Sequence, residues 1–327
     1  MKSKEDLLGS IVDTIKDYRE GEIVAPTPER VDCWVQQFDA EVQVPLLAEL
    51  DHVLKRTYFN RMTVLKFLAK LVTNADLAGS DVCTFWKNVH FLNNQGGGNS
   101  QRQMLRFFDA FLQRHCGFPI NDCSKITDTF IYIDDAIFTG NRVLKDLDNW
   151  IQTEAPIKAK VHIITIALHR GGQFYIKNKI SEKSALAKKD IKLYWWRCAE
   201  IEDRKAYINH TDVLRPRTIP TDPLVLGYIS SLKYPLGLRT QDSIGEHGFF
   251  SSEHGRALLE QEMLKAGVKI RELCPSLNKY QRPLGNMILE TLGFGSTIVT
   301  FRNCPNNAPL AFWAGHPWHP LFERKAN

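Results

Sequence analysis

The residues most able to do chemistry sit in one short run, Phe130-Ile131-Tyr132-Ile133-Asp134-Asp135-Ala136-Ile137-Phe138-Thr139-Gly140-Asn141-Arg142. Thr129–Ile133 has the apolar, β-branched and aromatic character of a buried strand, and it ends in two adjacent carboxylates. In an open parallel sheet that strand end is where ligands bind. A short loop follows, and then a helix whose apolar face is Val143, Leu144, Leu147, Trp150 and Ile151. The loop amides and the helix N-terminus converge on a small volume that suits a phosphate. Gly140 allows close backbone approach, and Thr139 offers a hydroxyl donor or a helix cap. Carboxylates do not attract a phosphate. They suit ribose hydroxyls, or a magnesium ion held through water. A turn and helix cap is the other reading of the same two aspartates.

A second candidate lies upstream, where Val89–Leu92 reads as a short strand followed by the polar loop Asn93-Asn94-Gln95-Gly96-Gly97-Gly98-Asn99-Ser100. Its amides could form an anion nest. The nearest cation is Arg102, in a helix carrying Met104, Leu105, Phe108, Phe111 and Leu112. Arg170 follows the buried strand Lys160–Leu168 and reaches the same sheet edge as the acidic pair if the sheet is parallel, so it is a candidate phosphate contact. Asn306 and Asn307 offer amides that either read a base edge or fix a turn. Trp313 and Trp318 stack on a base or fill a core.

Strand, helix, strand with short links is a βαβ unit, which predicts an α/β fold with a mainly parallel sheet flanked by helices. Ile191–Trp196 reads as a further strand, about Glu253 to Ala266 as a helix and Thr297–Arg302 as a strand. Residues 1–75 read as helical, with apolar series at Ile11, Ile15 and Tyr18, then Trp34 to Leu54, then Val64 to Val72. That region shows no dense basic stripe of the kind a DNA-reading helix carries.

The acidic-pair run resembles the phosphoribosyl pyrophosphate motif of type I phosphoribosyltransferases. The resemblance implies that Asp134 and Asp135 hold ribose hydroxyls, with Mg2+ held indirectly. It implies that Phe138, Thr139, Gly140, Asn141 and Arg142 form the 5′-phosphate loop. Gly96, Gly97, Gly98, Asn99, Ser100 and Arg102 would form the pyrophosphate loop. The chain departs from the family at Phe138, where a small hydroxyl residue is usual, and in the early loop, which lacks the usual basic residue. With the C-terminal block Gly295–Asn307, Trp313 and Trp318, the chain is similar to phosphoribosyltransferase-like proteins of bacterial conflict systems, some of them retron-associated phage-defence effectors. The resemblance spans roughly residues 20 to 325.

It implies a helical region over 1–80 packed on the core, and a phosphoribosyltransferase-like domain over 81–327 with a C-terminal hood or extension. It implies a toxin-like effector of antiviral defence with glycosyltransferase or nucleotide-cleaving activity, using phosphoribosyl pyrophosphate or a nucleotide as ligand. A partner would be a reverse transcriptase–RNA/DNA complex or another defence-system subunit. Two other readings stay open: a non-catalytic nucleotide or phosphoribosyl pyrophosphate sensor, and an interaction subunit of a reverse transcriptase assembly.

Composition excludes little. The net charge of +5 suits phosphate handling and equally a mildly basic enzyme. The lysines from Lys177 to Lys192 read as a solvated face or a nucleic-acid contact. The seven cysteines are widely spaced without a CxxC pair, which predicts reduced thiols. The charged N-terminal segment is unlike a signal peptide, and no apolar run reaches membrane-span length. The expected location is the cytoplasm.

Overall fold

The computed structural model describes residues 2–96 and 99–324. Contacts divide the described residues into two units, one of residues 2–61 with 201–324 and the other within 62–200. The position-80 boundary read from the sequence lies inside the second unit.

The first unit begins with α1 (Lys4–Ile15), α2 (Pro28–Val35), α3 (Ala40–Thr57) and the short β1 (Tyr58–Phe59). Ser3 and Asp6 form a capping box that starts α1, and Thr27 caps α2 with Pro28 in its first turn. The expected apolar series is buried here, through Ile11, Ile15, Tyr18, Trp34, Leu46, Leu50 and Val53.

The second unit opens with α4 (Arg61–Val72), α5 (Ala75–Ala78) and α6 (Val82–Lys87). Then come β2 (His90–Phe91), α7 (Ser100–Cys116), β3 (Thr129–Ile137), α8 (Asn141–Thr153), β4 (Lys158–His169), α9 (Arg170–Leu186) and β5 (Asp190–Ile201). The sheet order is β2-β3-β4-β5, and β2 with β3 and β3 with β4 pair parallel. This is the α/β fold with a mainly parallel sheet that the βαβ pattern predicts. One face of the sheet is covered by α8 and α9, where Phe130, Tyr132, Val161 and Ile163 meet Val143, Leu147, Trp150, Ile176 and Ile180. Burying side chains of this size stabilises by about 1.5–3 kcal/mol each, so this cluster holds the sheet against α8 and α9. Elsewhere in the unit Trp86 packs on Phe91 and Phe108, and its indole nitrogen donates to the Val72 carbonyl at 2.7 Å.

The expectation of reduced thiols is corrected at one pair, because Cys83 of α6 and Cys116 at the end of α7 form a disulfide. Their separation of 33 residues is not a motif spacing. The packing of the two helices brings the Cα atoms to 5.4 Å, within bridging range. The other five cysteines are free.

The chain then returns to the first unit with α10 (Pro223–Ser230), α11 (Glu253–Leu273), β6 (Gln281–Arg282), β7 (Gly285–Asn286), β8 (Val299–Thr300) and α12 (Leu310–Trp313). The strand expected over Thr297–Arg302 pairs only at Val299 and Thr300, parallel to β1. Ser296 instead turns its amide to the Asn307 carbonyl. Trp313 and Trp318 are core residues, donating to the carbonyls of Ala308 and Ala311 at 2.9 and 3.0 Å. No helix among the described residues is long and apolar enough to cross a membrane.

Candidate functional site

β3 carries the acidic pair, but the strand does not stop there. Its pairing with β4 continues through Asp134↔Thr165, Ala136↔Ala167 and Ile137↔Leu168. The aspartates assist the extension by capping the amides that follow them. Asp134 Oδ1 accepts from the Asp135 amide at 2.9 Å, and Asp135 Oδ1 from the Ala136 amide at 2.8 Å. Successive strand side chains face opposite ways, so Asp134 shares the side of Tyr132 while Asp135 takes the other. Asp134 is buried and Asp135 half-buried.

The early loop comes to Asp134. Gln95 Nε2 donates to Asp134 Oδ2 at 3.1 Å. Gln95 is held in turn by a reciprocal pair with Gln101, whose amide nitrogen donates to Gln95 Oε1 at 3.3 Å and whose Oε1 accepts from the Gln95 amide at 3.0 Å. Ser100 Oγ adds a bond to Gln95 Oε1 at 3.3 Å. Beside them Asn94 Nδ2 donates to the Asp146 carbonyl at 3.1 Å. Two buried polar atoms here, Gln101 Nε2 and Asn94 Oδ1, have no partner among the described residues. Leaving such an atom unpaired costs about 1–3 kcal/mol. Asn99 caps α7 by position, and Arg102 is exposed on its first turn. Gly97 and Gly98 lie outside the described residues.

After β3, Phe138, Thr139 and Gly140 form the loop that starts α8. Gly140 is the N-cap, with φ +80°. A side chain there would be strained by that angle and would also meet the Gly172 carbonyl at 2.8 Å. Gly172, in the first turn of α9, is tighter still, since a Cβ would lie 2.1 Å from the Phe138 carbonyl oxygen. The two glycines thus press the loop against α9. No acidic residue stands in the first turn of α8, which keeps its N-terminal amides favourable to an anion. Thr139 Oγ1 accepts from the Asn141 amide at 3.5 Å, the limit of a hydrogen bond. Asn141 and Arg142 are exposed.

Phe138 is a packing residue. Its ring lies 4.8 Å from that of His169. His169 is fully buried, with Nδ1 3.0 Å from the Ile137 carbonyl oxygen. A carbonyl only accepts, so the proton sits on Nδ1.

Below the loop, Tyr132 donates to Asp146 Oδ2 at 2.8 Å. Burial raises the Asp146 carboxyl above its ordinary value, against the hydrogen bond from Tyr132 and the charges of Arg142 and Lys145. Burial and the neighbouring carboxylates of Asp134 and Asp146 push the Tyr132 hydroxyl well up, so it remains a donor.

Arg170 is committed to Glu200, with Nε 2.5 Å from Oε1, while Arg197 pairs with the other oxygen of the same carboxylate. Burial alone would raise Glu200, but the bond from Arg170 and the charges of Arg197 and Arg170 hold it low. Lys179 and Lys183 of the lysine-rich stretch pair with Glu182 and Asp148. Asn306 and Asn307 belong to the first unit, where they fix a turn. The Asn286 amide donates to the Asn306 carbonyl at 2.7 Å, and Asn307 Nδ2 to the Asn286 carbonyl at 3.1 Å.

Sequence reading missed Gln95, Gln101, Asn94, Asp146 and Gly172. One signal was available, since Asp146 is a lone acid on the apolar stripe of α8. The glutamine pair has no spacing that marks it.

A parallel strand carrying two acids, a glycine-capped helix and an earlier polar loop folded onto the first acid define a phosphoribosyltransferase-like α/β protein. The model of the PRTase-CE family matches residues 31–324. The chain belongs to that family. No curated protein and no solved structure matches it.

Proposed function

We propose that this chain binds a ribose phosphate, as a nucleotide or phosphoribosyl pyrophosphate, at Asp134, Asp135 and the loop Phe138–Arg142, and acts at its anomeric carbon. The carrying observation is the fully buried Gln101 side chain, which is linked to Asp134 through Gln95 and has an Nε2 without a partner among the described residues. A phosphorylated sugar supplies acceptors for it. The N-terminal amides of α8 would take the 5′-phosphate, and Asp134 would take a ribose hydroxyl in place of the Gln95 amide.

The donor set at the aspartates is hard oxygen, which suits magnesium better than a soft metal. Both oxygens of Asp134 already accept protein hydrogen bonds, which favours a hold through water. Magnesium would neutralise charge on the leaving group. The chain's own contribution is to fix the ribose and keep the site's carboxylates near the positive charge that develops at the anomeric carbon. The resemblance of the C-terminal block supports a role as an effector in antiphage defence, beside a reverse transcriptase complex or another defence subunit.

A second reading, a sensor without turnover, is favoured by Arg170. Its pairing with Glu200 leaves it poorly placed to neutralise a departing pyrophosphate. Incubating the protein with magnesium and nucleotides or phosphoribosyl pyrophosphate, and following products by mass spectrometry, separates the two. Base release or transfer that disappears in Asp134→Asn/Asp135→Asn supports the enzyme. Binding without products supports the sensor. Turnover that survives the double substitution contradicts the site.

A further inference from the structure

The first unit contains a half-open pocket of about 440 Å³ lined by Tyr228, Ser231, Arg271, Glu272, Arg282 and Glu290, among others. This volume is within the range of small-molecule sites, about 300–1,000 Å³. Its elements are α10, the end of α11 and the short strand β6.

Arg282 is 7 % exposed. Its Nε has no hydrogen-bond partner, its guanidinium hydrogen-bonds the Tyr228 hydroxyl, and no ion pair to a carboxylate is found for it among the described residues. A charged group so far removed from water is costly unless an opposite charge compensates it. Elsewhere in the same unit Arg239 pairs with Glu253 and Glu260, and Arg256 with Glu260. Arg282 has no such pair, and it lines a pocket. Arg271 lines the same pocket and donates to the carbonyls of Asn278 and Gln281, which satisfy hydrogen bonds without cancelling its charge. Its guanidinium carbon lies 5.9 Å from the Tyr228 ring centre.

We infer that this pocket is a second anion site that takes a small phosphate ester, with Arg271 and Arg282 on the phosphate. Glu272 and Glu290 line the same pocket and repel a bare anion, so they call for hydroxyl or amino donors on the ligand. Tyr228 supplies an aromatic edge or face for its organic part. The ligand class is therefore a sugar phosphate or nucleoside monophosphate. This site is made wholly of residues 227–290 and does not depend on Asp134 and Asp135.

Calorimetric titration of the full chain in phosphate-free buffer tests it, using adenosine monophosphate, ribose 5-phosphate and inorganic phosphate as probes. The background is Asp134→Asn/Asp135→Asn, which removes the other proposed site. One saturable event is expected for a phosphate ester, weaker for inorganic phosphate. Adding Arg271→Gln or Arg282→Gln should weaken it at least tenfold. Glu290→Gln should tighten inorganic phosphate and weaken the ester, a split that a merely structural role would not produce. Preference between the first two probes tells nucleoside from simple sugar phosphate. Because burying Arg282 uncompensated is unfavourable, Arg282→Gln should not lower the ligand-free melting temperature. Absence of any binding in the background variant, or binding unchanged in Arg271→Gln, would overturn the inference.

Discussion

Replacing Glu260 with alanine lowers the unfolding free energy by about 3–5 kcal/mol, the range for removing one partner of a buried ion pair. Glu260 has no exposed surface and serves three groups. Its Oε1 accepts from the Arg215 amide at 2.9 Å and from Arg256 Nε at 2.8 Å, and its Oε2 accepts from Arg239 at 2.9 Å. Without it Arg239 keeps Glu253 at 3.0 Å. Arg256 keeps only carbonyls, those of Ser243 at 3.1 Å and Val213 at 3.0 Å, and the face of Phe250 at 4.3 Å. A guanidinium in that position is buried, charged and uncompensated, which is where the loss arises. Glu260→Gln should recover part of it, because the amide oxygen still accepts but carries no charge. Urea denaturation checks the order wild type, Gln, Ala. A loss smaller than about 1 kcal/mol for Ala, the scale of an exposed pair, would show that this network does not hold the first unit together.

Gly172→Ala has the second large effect, and it is felt at the proposed ligand site. The added Cβ would sit 2.1 Å from the backbone oxygen of Phe138, so relief requires moving the loop itself. Overpacking of this kind costs about 1–3 kcal/mol. The displaced loop carries the amides assigned to the phosphate, so affinity for a ribose phosphate should fall on the order of tenfold, equivalent to about 1.4 kcal/mol. Gly9→Ala is the matched control. It lies inside α1 with nothing near its Cβ, and alanine there should raise stability by about 0.5–1 kcal/mol. Thermal melts and titration of both variants check the contrast. Equal behaviour of the two would show that the Phe138–Gly172 contact is not what shapes the loop.

The site was legible where chemistry is local. An apolar run, two acids, a glycine and an amphipathic stripe lie in consecutive residues, and α8 starts where that order implies. The end of the strand was not legible, because β3 gains the four residues Asp134 to Ile137 from pairing with β4 and from aspartates capping the next amides. Gln95 and Gln101 were invisible for a similar reason. Their bonds to each other mark no recognised spacing, and the bond from Gln95 to Asp134 arises only when β2 and β3 lie side by side. The union of residues 2–61 with 201–324, the Cys83–Cys116 bridge and the bonds of Glu260 to Arg215 and Arg239 all join positions far apart in the chain, and no periodicity records them. Phe138, which looks from the sequence like a defect in a phosphate loop, is explained by His169 beneath it. Arg170, which looks like a phosphate ligand, is explained by Glu200.

The central claim is that Asp134 and its loop grip a ribose phosphate. Calorimetric titration of phosphoribosyl pyrophosphate with magnesium into wild type and Asp134→Asn/Asp135→Asn tests it most directly. The expected result is a saturable event in the wild type, weakened at least tenfold in the variant while its melting temperature without ligand stays within a few degrees. The same affinity in both proteins would contradict it.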